Sequence, residues 1–462
     1  MEQKRLLMNN RTPFYLKFVN FSDLCLWDFK RYVANNISST KYKIVKLADY
    51  IQEENIRVNP FENPTDDYAI LGVNNKTGLF DAYVEKGSKI NQPYKVVKDG
   101  FLAYNPYRVN VGSIGLKTEQ QKYKYISPAY VVFSCKKGLL PEFLYILFRT
   151  NKFNELIREN TTGSVRQTLS FASMGNIKIP LPSLDIQKEF VKKYNDKIKF
   201  AEEQELKAQD SESDIEKYIL KELDINVEAN NQKIKNEKLV SFINLKTLSR
   251  WGVEYLINKK NDVSLLKSKT IQMKKLGEVV DIDPKNDFAS LDKNLEMSFI
   301  PMPYISDEYG EIIKFEDGIN EKSKGYTRFQ EGDLIWAKIT PCMQNGKSAI
   351  LKGLKNGYGY GSTEFYVIRN SSPKICLDYI YHILRTNLVR QNAMTYFTGS
   401  SGQQRVPRSY LQNLEIPLPN KDKQEAISNE MYKMKNNIKR LKQQAKQNRI
   451  AAQKEFEKEL FE

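Results

Sequence analysis

The stretch Ile179-Pro180-Leu181-Pro182 returns 237 positions later as Ile416-Pro417-Leu418-Pro419. Each copy is followed by a long segment without proline or glycine, and the motifs before each copy come in the same order. These further pairs are Phe18-Val19-Asn20-Phe21 with Phe242-Ile243-Asn244-Leu245, Arg149-Thr150-Asn151 with Arg385-Thr386-Asn387, Thr162-Gly163-Ser164 with Thr398-Gly399-Ser400, and Gln187 with Gln424. Two copies of one frame, rather than a long array, predict a pseudo-twofold protein.

The segment after each proline-rich stretch predicts a long helix. Ser183 and Asn420 occupy matching positions, and both are residue types that cap a helix N-terminus. Beyond them, apolar residues recur at alternating spacings of three and four, which is typical of a coiled-coil seam. The seam residues are Val191, Tyr194, Ile198, Ala201, Ile215 and Ile219 in the first helix, and Ile427, Met431, Met434, Ile438, Leu441 and Ala445 in the second.

Each of these helices is long enough to act as a rigid spacer. At 1.5 Å per residue, either spans roughly 60 Å. Because each follows an equivalent module, we expect the two helices to pack together as an antiparallel coiled-coil spacer, and two separate homomeric coiled coils are the alternative. Glu205 and Glu212 also fall on the first seam. They either pair with lysines of the partner helix or face another subunit.

The regions before the two helices predict compact α+β modules. Tyr130–Phe133 and Glu364–Ile368 have the pattern of strands, and each is followed by one helical segment, at 141–159 and 377–395. The predicted fold class is α+β, with two tandem α/β modules that are each followed by a long helix. The predicted boundaries are 1–182 and 238–419 for the modules, 183–237 for the first helix with a linker at Asn230–Lys238, and 420–462 for the second helix.

The charge of the chain indicates a polyanionic partner. The formal net charge is +16 among 462 residues, and no apolar run approaches the length of a membrane span. A solvated cationic surface is the alternative, but a large basic excess in a cytosolic protein favours nucleic acid. Four cysteines without CxxC spacing and an N-terminus without a signal peptide predict a reduced, cytoplasmic protein.

Residues with catalytic potential do not form a recognisable site. His382 is the one histidine of the chain, so Ser-His pairs and histidine metal sites are excluded, and its helical position predicts packing. Gly346-Lys347-Ser348 lacks the first glycine of a phosphate loop, which would fall at Pro341. Asn105-Pro106-Tyr107 lacks the second proline of the Asn-Pro-Pro-Tyr box of amino-methyltransferases. We therefore predict a protein without metal or cofactor of its own.

Two polar segments in each module favour contact with DNA. The first begins as a strand and continues as a loop, at 100–115 and 332–348, and the second precedes the proline-rich stretch. Arg, Lys, Asn and Gln read base edges, whereas hydroxyls and backbone amides bind phosphate. The alternative is an ordinary surface loop. The candidates are Tyr104, Asn105, Arg108, Asn110, Ser113, Thr162, Ser164, Arg166 and Gln167 in the first module, and Lys338, Thr340, Gln344, Asn345, Lys347, Ser400, Gln403, Gln404, Arg405 and Arg408 in the second.

Taken together, these motifs resemble the specificity subunit of type I restriction-modification enzymes. Both modules have the order Thr-Gly-Ser, Ile-Pro-Leu-Pro, Gln and long helix, and the resemblance covers about residues 18–462. Gly332-Asp333-Leu334 with Ile339–Met343 and Asn345-Gly346-Lys347 is similar to a frequent pattern of that family's target recognition domains. Tyr104-Asn105-Pro106 with Arg108–Asn110 and Gly112–Gly115 resembles another.

The resemblance implies a non-catalytic DNA reader in a multisubunit enzyme of host defence. Each module would be a target recognition domain for half of a split double-stranded site, and the helices would set the gap. Two methyltransferase (M) subunits with S-adenosylmethionine and two restriction/translocase (R) subunits with ATP and Mg would dock on it.

The two copies also predict what kind of site would be read. The frames match but the polar segments do not, so we expect an asymmetric target. An orphan methyltransferase-type enzyme and a coiled-coil scaffold without DNA affinity are the alternatives. The former lacks cofactor motifs, and the latter leaves the basic charge unexplained. Residues 1–17 have no assigned role, and the sequence does not specify the bases or the spacer length.

Overall fold

The computed structural model describes residues 41–109, 112–161, 168–225, 266–285, 288–400 and 402–462. The chain divides into two units, one made of Met1–Glu203 with Gln444–Glu462 and the other of Gln204–Gln443. The repeated motifs at Phe18 and Phe242, Cys25 and the predicted linker lie outside the described residues. None of the described helices is apolar and long enough to cross a membrane.

The first unit contains a small α+β domain and the start of a long helix. Its strands are β1 Lys43–Lys46, β2 Ile51–Glu53, β3 Arg57–Val58, β4 Asp67–Asn74, β5 Gly78–Lys86, β6 Tyr94–Val96, β7 Leu102–Tyr104, β8 Ile114–Leu116, β9 Tyr125–Ile126, β10 Val131–Cys135 and β11 Lys178–Leu181. Its helices are α1 Pro141–Phe148, α2 Asn151–Asn160, α3 Phe171–Gly175 and α4 Leu184–Glu222, which continues into the second unit.

The second unit repeats this order. Its strands are β12 Met273–Lys275, β13 Val280–Ile282, β14 Glu296–Ile300, β15 Glu316–Ile319, β16 Thr327–Gln330, β17 Leu334–Ala337, β18 Ser348–Ile350, β19 Tyr358–Gly361, β20 Phe365–Asn370 and β21 Glu415–Pro417. Its helices are α5 Leu377–Arg385, α6 Asn387–Thr395, α7 Arg408–Asn413 and α8 Lys421–Phe461, whose last part belongs to the first unit. The predicted α+β class, with two modules each followed by a long helix, is confirmed.

Two sheets have the same strand order in both units, whereas a third sheet differs between them. The strand order β2-β10-β7-β8 of the first unit matches β13-β20-β17-β18 of the second, and the pair β1-β11 matches β12-β21. The remaining sheet has the order β3-β6-β9-β4-β5 in the first unit and β15-β14-β19-β16 in the second. We call the matching sheets with their helices the frame, and the other two the unlike sheets.

The single helical segment predicted in each module is wrong, because a repeated threonine divides it. The Thr150 Oγ1 accepts a hydrogen bond from the Phe153 amide at 3.3 Å and caps α2, and the Thr386 Oγ1 accepts from the Val389 amide at 3.3 Å and caps α6. Each threonine has extended backbone, which ends the preceding helix. The motif Arg-Thr-Asn is therefore a helix break rather than a helix interior.

The repeated glutamine after each proline-rich stretch links the long helix to its domain. The Gln187 Nε2 donates to the carbonyls of Gly138 and Pro182, both at 2.9 Å, and its Oε1 accepts from the Leu140 amide at 2.9 Å. Gln424 makes the matching bonds to the carbonyls of Lys374 and Pro419 and from the Cys376 amide. Both side chains are buried. The repeat therefore marks a buried polar contact that fixes the start of each helix.

Within the first unit, residues 184–203 run antiparallel beside 444–461. Lys193 pairs with Glu459 at 3.3 Å, and four residues further along α4, Lys197 pairs with Glu455. The Phe143 ring of α1 lies 6.3 Å from that of Phe190 in α4 and 5.5 Å from that of Phe456 in α8, measured between centroids. Exposed ion pairs contribute little, so these buried rings hold the helices to the domain.

Within the second unit, residues 204–222 run antiparallel beside 421–443. Lys442 pairs with Glu212 at 2.6 Å, and Lys423 pairs with Glu222 at 3.3 Å. Of the two outcomes predicted for Glu212, pairing with a lysine of the partner helix is therefore observed.

Burial along both helices follows the predicted seam, whose apolar residues are all buried or half-buried. The two glutamates that also fall on it, Glu205 and Glu212, are exposed. Between Ala201 and Ala208, however, Gln204 is buried and the predicted Glu205 is exposed. From Ala201 to Ala208, a step of three and then four passes through Gln204, and a step of four and then three passes through Glu205. Both orders fit the seam. Burying an amide costs less than burying a carboxylate, which explains the choice.

Candidate nucleic-acid interface

The two polar loops predicted in the second unit lie side by side. The Thr340 amide donates to the Gln404 carbonyl at 2.9 Å, and the Val406 amide donates to the Lys338 carbonyl at 2.9 Å. Ile339 and Arg405 form an antiparallel bridge. The described residues of the loops 338–347 and 398–406 therefore form one continuous polar surface, which the sequence motifs alone do not reveal.

An ion pair holds this surface together. The Arg405 Nε and Nη2 donate to the two carboxylate oxygens of Glu364 at 2.9 and 2.8 Å, and its Nη1 donates to the Gln403 carbonyl at 2.7 Å. The bonds from Arg405 hold the pKa of Glu364 below its ordinary value. The Lys338 amide also donates to the Glu364 carbonyl at 2.9 Å. Glu364 thus ties both loops to the start of β20, and Arg405 positions its loop in this arrangement.

A tyrosine supports the surface from below. The Tyr366 hydroxyl donates to the Val406 carbonyl at 2.8 Å, and the Lys338 ammonium lies 5.1 Å from the ring centroid. Burial raises the pKa of Tyr366 to about 12, so the hydroxyl remains a donor at neutral pH. Lys338, Arg405 and the exposed Arg408, which donates to the Ile282 carbonyl, place three cations around this support.

The remaining candidates of the second unit differ in their accessibility. Asn345, Ser400 and Gln403 are exposed, whereas Thr340, Gln344, Lys347 and Gln404 are half-buried. The Thr340 hydroxyl donates to the Gln344 Oε1, and the Lys347 ammonium donates to the Met302 carbonyl at 3.2 Å. The exposed polar side chains are free of steric cover and suit base or phosphate contact.

Two candidates of the first unit are buried, which argues against the predicted DNA contacts. Tyr104 is 0% exposed, and its hydroxyl donates to the Leu169 carbonyl at 3.2 Å. Ser113 is buried, and its Oγ donates to the Val73 carbonyl at 3.3 Å. Tyr104 lies at the strand position that Trp336 occupies in the second unit, and that ring is also buried. Both rings belong to the core, because every residue of these two strands is buried.

A short loop of the first unit presents an aromatic side chain that is absent from the predicted DNA-contacting residues. The Asn105 Oδ1 accepts from the Tyr107 amide at 3.0 Å, which forms a turn stabilised by the asparagine side chain. Tyr107 is 57% exposed, the neighbouring Arg108 is also exposed, and Val109 is buried beneath them. A tyrosine between Pro106 and Arg108 in a predicted loop was the available sequence signal. Asn110, Thr162, Ser164, Arg166 and Gln167 lie outside the described residues.

A groove beside the polar surface of the second unit was also missed. It is lined by Asp283, Pro284, Tyr326, Thr327, Arg328 and Val367. Tyr326 is 47% exposed, and the Arg328 guanidinium lies 5.4 Å from the Phe288 ring centroid. Asp283 follows Ile282, whose carbonyl accepts from Arg408, so the groove continues the polar surface. The aromatic and basic residues after Gly325 were a signal, but they lie outside the repeated motifs.

The residues considered for catalysis have structural roles. His382 is buried between Tyr381 and Tyr432, with ring centroids 5.0 and 4.8 Å away, and burial lowers its pKa to about 3. The predicted packing role is confirmed. Ser348 begins the strand β18 instead of a helix, which agrees with the rejection of Gly346-Lys347-Ser348 as a phosphate loop.

Comparison with known families gives a consistent result. The model of the type I restriction modification DNA specificity domain matches residues 41–209 and 268–451. The specificity subunit of the type I restriction enzyme EcoEI from Escherichia coli is 41% identical over 157 residues, which cover 33% of this chain and 25% of that protein. The corresponding subunit of EcoAI from Escherichia coli is 42% identical over 153 residues, covering 33% of this chain and 26% of that protein. The matched region therefore spans about a quarter of each relative.

A solved structure shares the fold. It is described as the structural basis underlying complex assembly and conformational transition of the type I R-M system. The similarity covers 91% of this chain and 96% of that one, with a TM-score of 0.54 and 15% sequence identity. At this identity the likeness concerns the fold alone.

Proposed function

The chain belongs to the family of type I restriction modification DNA specificity domains, and from this premise we propose that its two units read the two halves of a split DNA site. The chain would act as the non-catalytic specificity subunit of a restriction-modification enzyme. The alternative is an orphan methyltransferase-type enzyme.

The observation that carries the proposal is the combination of a repeated frame with unlike sheets and loops. The strand order of the frame is the same in both units, whereas the third sheets differ in strand number and order. The loop 338–347 of the second unit presents Lys338 and the exposed Asn345, whereas the equivalent loop of the first unit at 105–109 presents Tyr107 and Arg108. Different donors and acceptors at the two surfaces support an asymmetric target.

The charge supports DNA as the ligand. A formal net charge of +16 would release counterions from the duplex on binding. Affinity measured by filter binding should therefore fall steeply as salt rises, which a scaffold without DNA affinity would not show. Phosphate contacts would position the units, and the exposed amide and guanidinium groups would supply the discrimination between bases.

The chemistry would come from partner subunits. Two methyltransferase subunits with S-adenosylmethionine would modify adenines flipped out of the duplex, and two restriction/translocase subunits would use ATP and Mg. The paired long helices would dock these partners and set the gap between the half-sites.

Single-molecule sequencing of methylated DNA tests the proposal. The full chain is expressed with its cognate methyltransferase in cells without other adenine methylation, and the methylated motif is determined. We expect a split motif with two different half-sites and a fixed gap. A palindromic motif would contradict the asymmetric reading, and no methylation above that of the methyltransferase alone would contradict the function. S-adenosylmethionine binding by the purified chain would favour the enzyme alternative.

A further inference from the structure

The end of the same frame helix in each unit carries a tyrosine and an arginine four residues apart. These are Tyr145 with Arg149 at the end of α1, and Tyr381 with Arg385 at the end of α5. Both guanidinium groups lie against the ring, at 5.5 Å from the Tyr145 centroid and 5.7 Å from the Tyr381 centroid. We call each pair a Tyr–Arg clamp, because each holds a turn of the unlike sheet of its unit.

In the first unit the clamp holds the turn between β4 and β5. The Arg149 Nη2 donates to the carbonyls of Asn75 at 3.4 Å and Lys76 at 3.1 Å, while its Nη1 donates to the Tyr145 hydroxyl at 2.8 Å. Gly78 ends the turn with a φ of +75°, and a Cβ atom there would lie 2.6 Å from the Tyr145 hydroxyl oxygen. The turn therefore approaches the clamp as closely as a glycine allows.

In the second unit the clamp holds a turn in the connection between β14 and β15. The Arg385 Nη2 donates to the carbonyls of Asp307 at 3.1 Å and Glu308 at 3.3 Å. The Tyr381 hydroxyl donates to the carbonyl of Gly310 at 2.8 Å. Gly310 has a φ of +59°, and a Cβ atom there would lie 2.6 Å from that hydroxyl oxygen. The close approach of a left-handed glycine to the tyrosine thus recurs in an unlike sheet.

The second clamp also reaches the polar surface itself. The Arg385 Nη1 donates to the Gly346 carbonyl at the end of the loop 338–347. The neighbouring Arg390 donates from its Nη1 to the Gln344 carbonyl at 2.6 Å. One arginine therefore connects the unlike sheet, the frame helix and the candidate DNA-contacting loop.

The acceptors explain how one device can hold two different turns. Every contact from the guanidinium groups to the turns ends on a main-chain carbonyl. The side chains of the turns, Asn75-Lys76 in one unit and Asp307-Glu308 in the other, differ in charge and play no part in these bonds. A clamp that binds backbone tolerates different side chains in the held turn, apart from the glycine at Gly78 and Gly310.

We propose that the two Tyr–Arg clamps are positioning devices that fix the unlike sheet of each unit on the common frame and thereby set base discrimination in its half-site. This inference rests on the proposed function. Arg149 and Arg385 are positioning residues, since the described bonds of their guanidinium groups end on protein oxygens. The planar fork of arginine can bind two carbonyls and the tyrosine at once, whereas the ammonium of lysine cannot keep this geometry.

The test compares Arg149→Lys with Arg385→Lys in the full chain expressed with its cognate methyltransferase. Both variants keep the net charge, so the electrostatic attraction to DNA is unchanged. Methylation is measured by single-molecule sequencing at the full target and at every target with one mismatched base. We expect near-normal methylation of the full target and a relaxation of roughly tenfold at mismatches of one half-site, the scale of losing one good base contact. The two variants should relax different half-sites.

Three outcomes would overturn the inference: unchanged discrimination in both half-sites, relaxation of the same half-site by both variants, or equal loss at matched and mismatched targets. The last is what a purely structural role predicts. Tyr145→Phe and Tyr381→Phe, which remove only a hydroxyl, repeat the comparison if a lysine variant does not fold. If the unaltered chain directs methylation to no split motif, it is the proposed function that fails, and the clamps are judged by hydrogen exchange of 74–78 and 306–310.

Discussion

The frame has matching contacts in the two units, whereas the unlike sheets and the polar surface do not. In the frame, matching residues make matching bonds: Gln187 and Gln424 are both buried, and each donates to two carbonyls and accepts from one amide. At the polar surface the match ends. The strand registers place Ala129 of the first unit where the second has Glu364, which binds Arg405. The chain therefore separates the residues that hold each unit together from those that contact DNA in our proposal.

The frame of each unit is also contacted by a long helix other than the one that follows its domain in sequence. The Glu457 carboxylate of α8 accepts from the Lys152 amide in the first turn of α2 at 3.1 Å. The Glu216 carboxylate of α4 accepts from the Leu388 amide in the first turn of α6 at 2.9 Å. A carboxylate near a helix N-terminus is stabilised by the unpaired amides and the helix dipole. Both long helices are thus integral to the frame and not only appended to it.

The largest expected effect comes from shortening the spacer. Deleting one heptad from α4 within Val191–Ile219 should abolish target methylation, because it shifts the seam against the unaltered α8. A matched deletion within Ile427–Ala445 should restore pairing and shorten the gap by about three base pairs, since seven helical residues span about 10 Å and one base pair about 3.4 Å. Single-molecule sequencing of methylated DNA measures both. The control is a chain of unchanged length in which seven exposed residues of α4 are replaced by alanine.

The paired deletion also tests whether the frame and the unlike sheets have separate roles. The half-site bases should remain as in the unaltered chain, because the loops and unlike sheets are untouched. A change in the half-site bases after the paired deletion would show that the spacer also takes part in reading, and the comparison between frame and unlike sheets would then fail.

The sequence predicted the frame well because its signals are periodic or local. The seam residues recur every three or four positions, and burial follows that period. The cap at Asn420 is equally local, since its Oδ1 accepts from the Lys423 amide at 3.0 Å. Thr150 could have been recognised as a cap, but the apolar residues on both sides of it suggested a continuous helix.

The candidate site was predicted less well because it depends on contacts between distant segments. Tyr104 and Ser113 are polar residues in a segment predicted to run from a strand into a loop, yet both are buried, Tyr104 in a strand and Ser113 against the Val73 carbonyl. The bond from Arg405 to Glu364 joins residues 41 positions apart. The sequence motifs do not indicate which of two neighbouring polar side chains is exposed. Accessibility therefore had to come from the structure.

A medium effect is expected for the two frame glutamines. Gln187→Leu and Gln424→Leu each leave one amide and two carbonyls of the buried contact without their partner, which should lower the free energy of unfolding by about 2 kcal/mol. Chemical denaturation of the full chain measures both variants, and Gln403→Leu at an exposed position is the control. Similar losses would support the equivalence of the two frames. A loss confined to one variant would show that matching bonds do not have matching energetic weight.

The smallest expected effect lies in the part that the units do not share. Glu364→Gln removes the charge that binds Arg405 and should lower stability only slightly at pH 7, because both side chains are partly exposed. Arg405 lowers the pKa of Glu364 in the folded state, so the pair stabilises the fold above the unfolded carboxyl's pKa of about 4.3. This stabilisation is lost as the pH falls through the lowered value. Denaturation curves of the unaltered chain and the Glu364→Gln variant should therefore differ at pH 7 and converge in acid. Ala129→Gln at the matching position of the first unit is the control and should change stability equally at pH 7 and in acid.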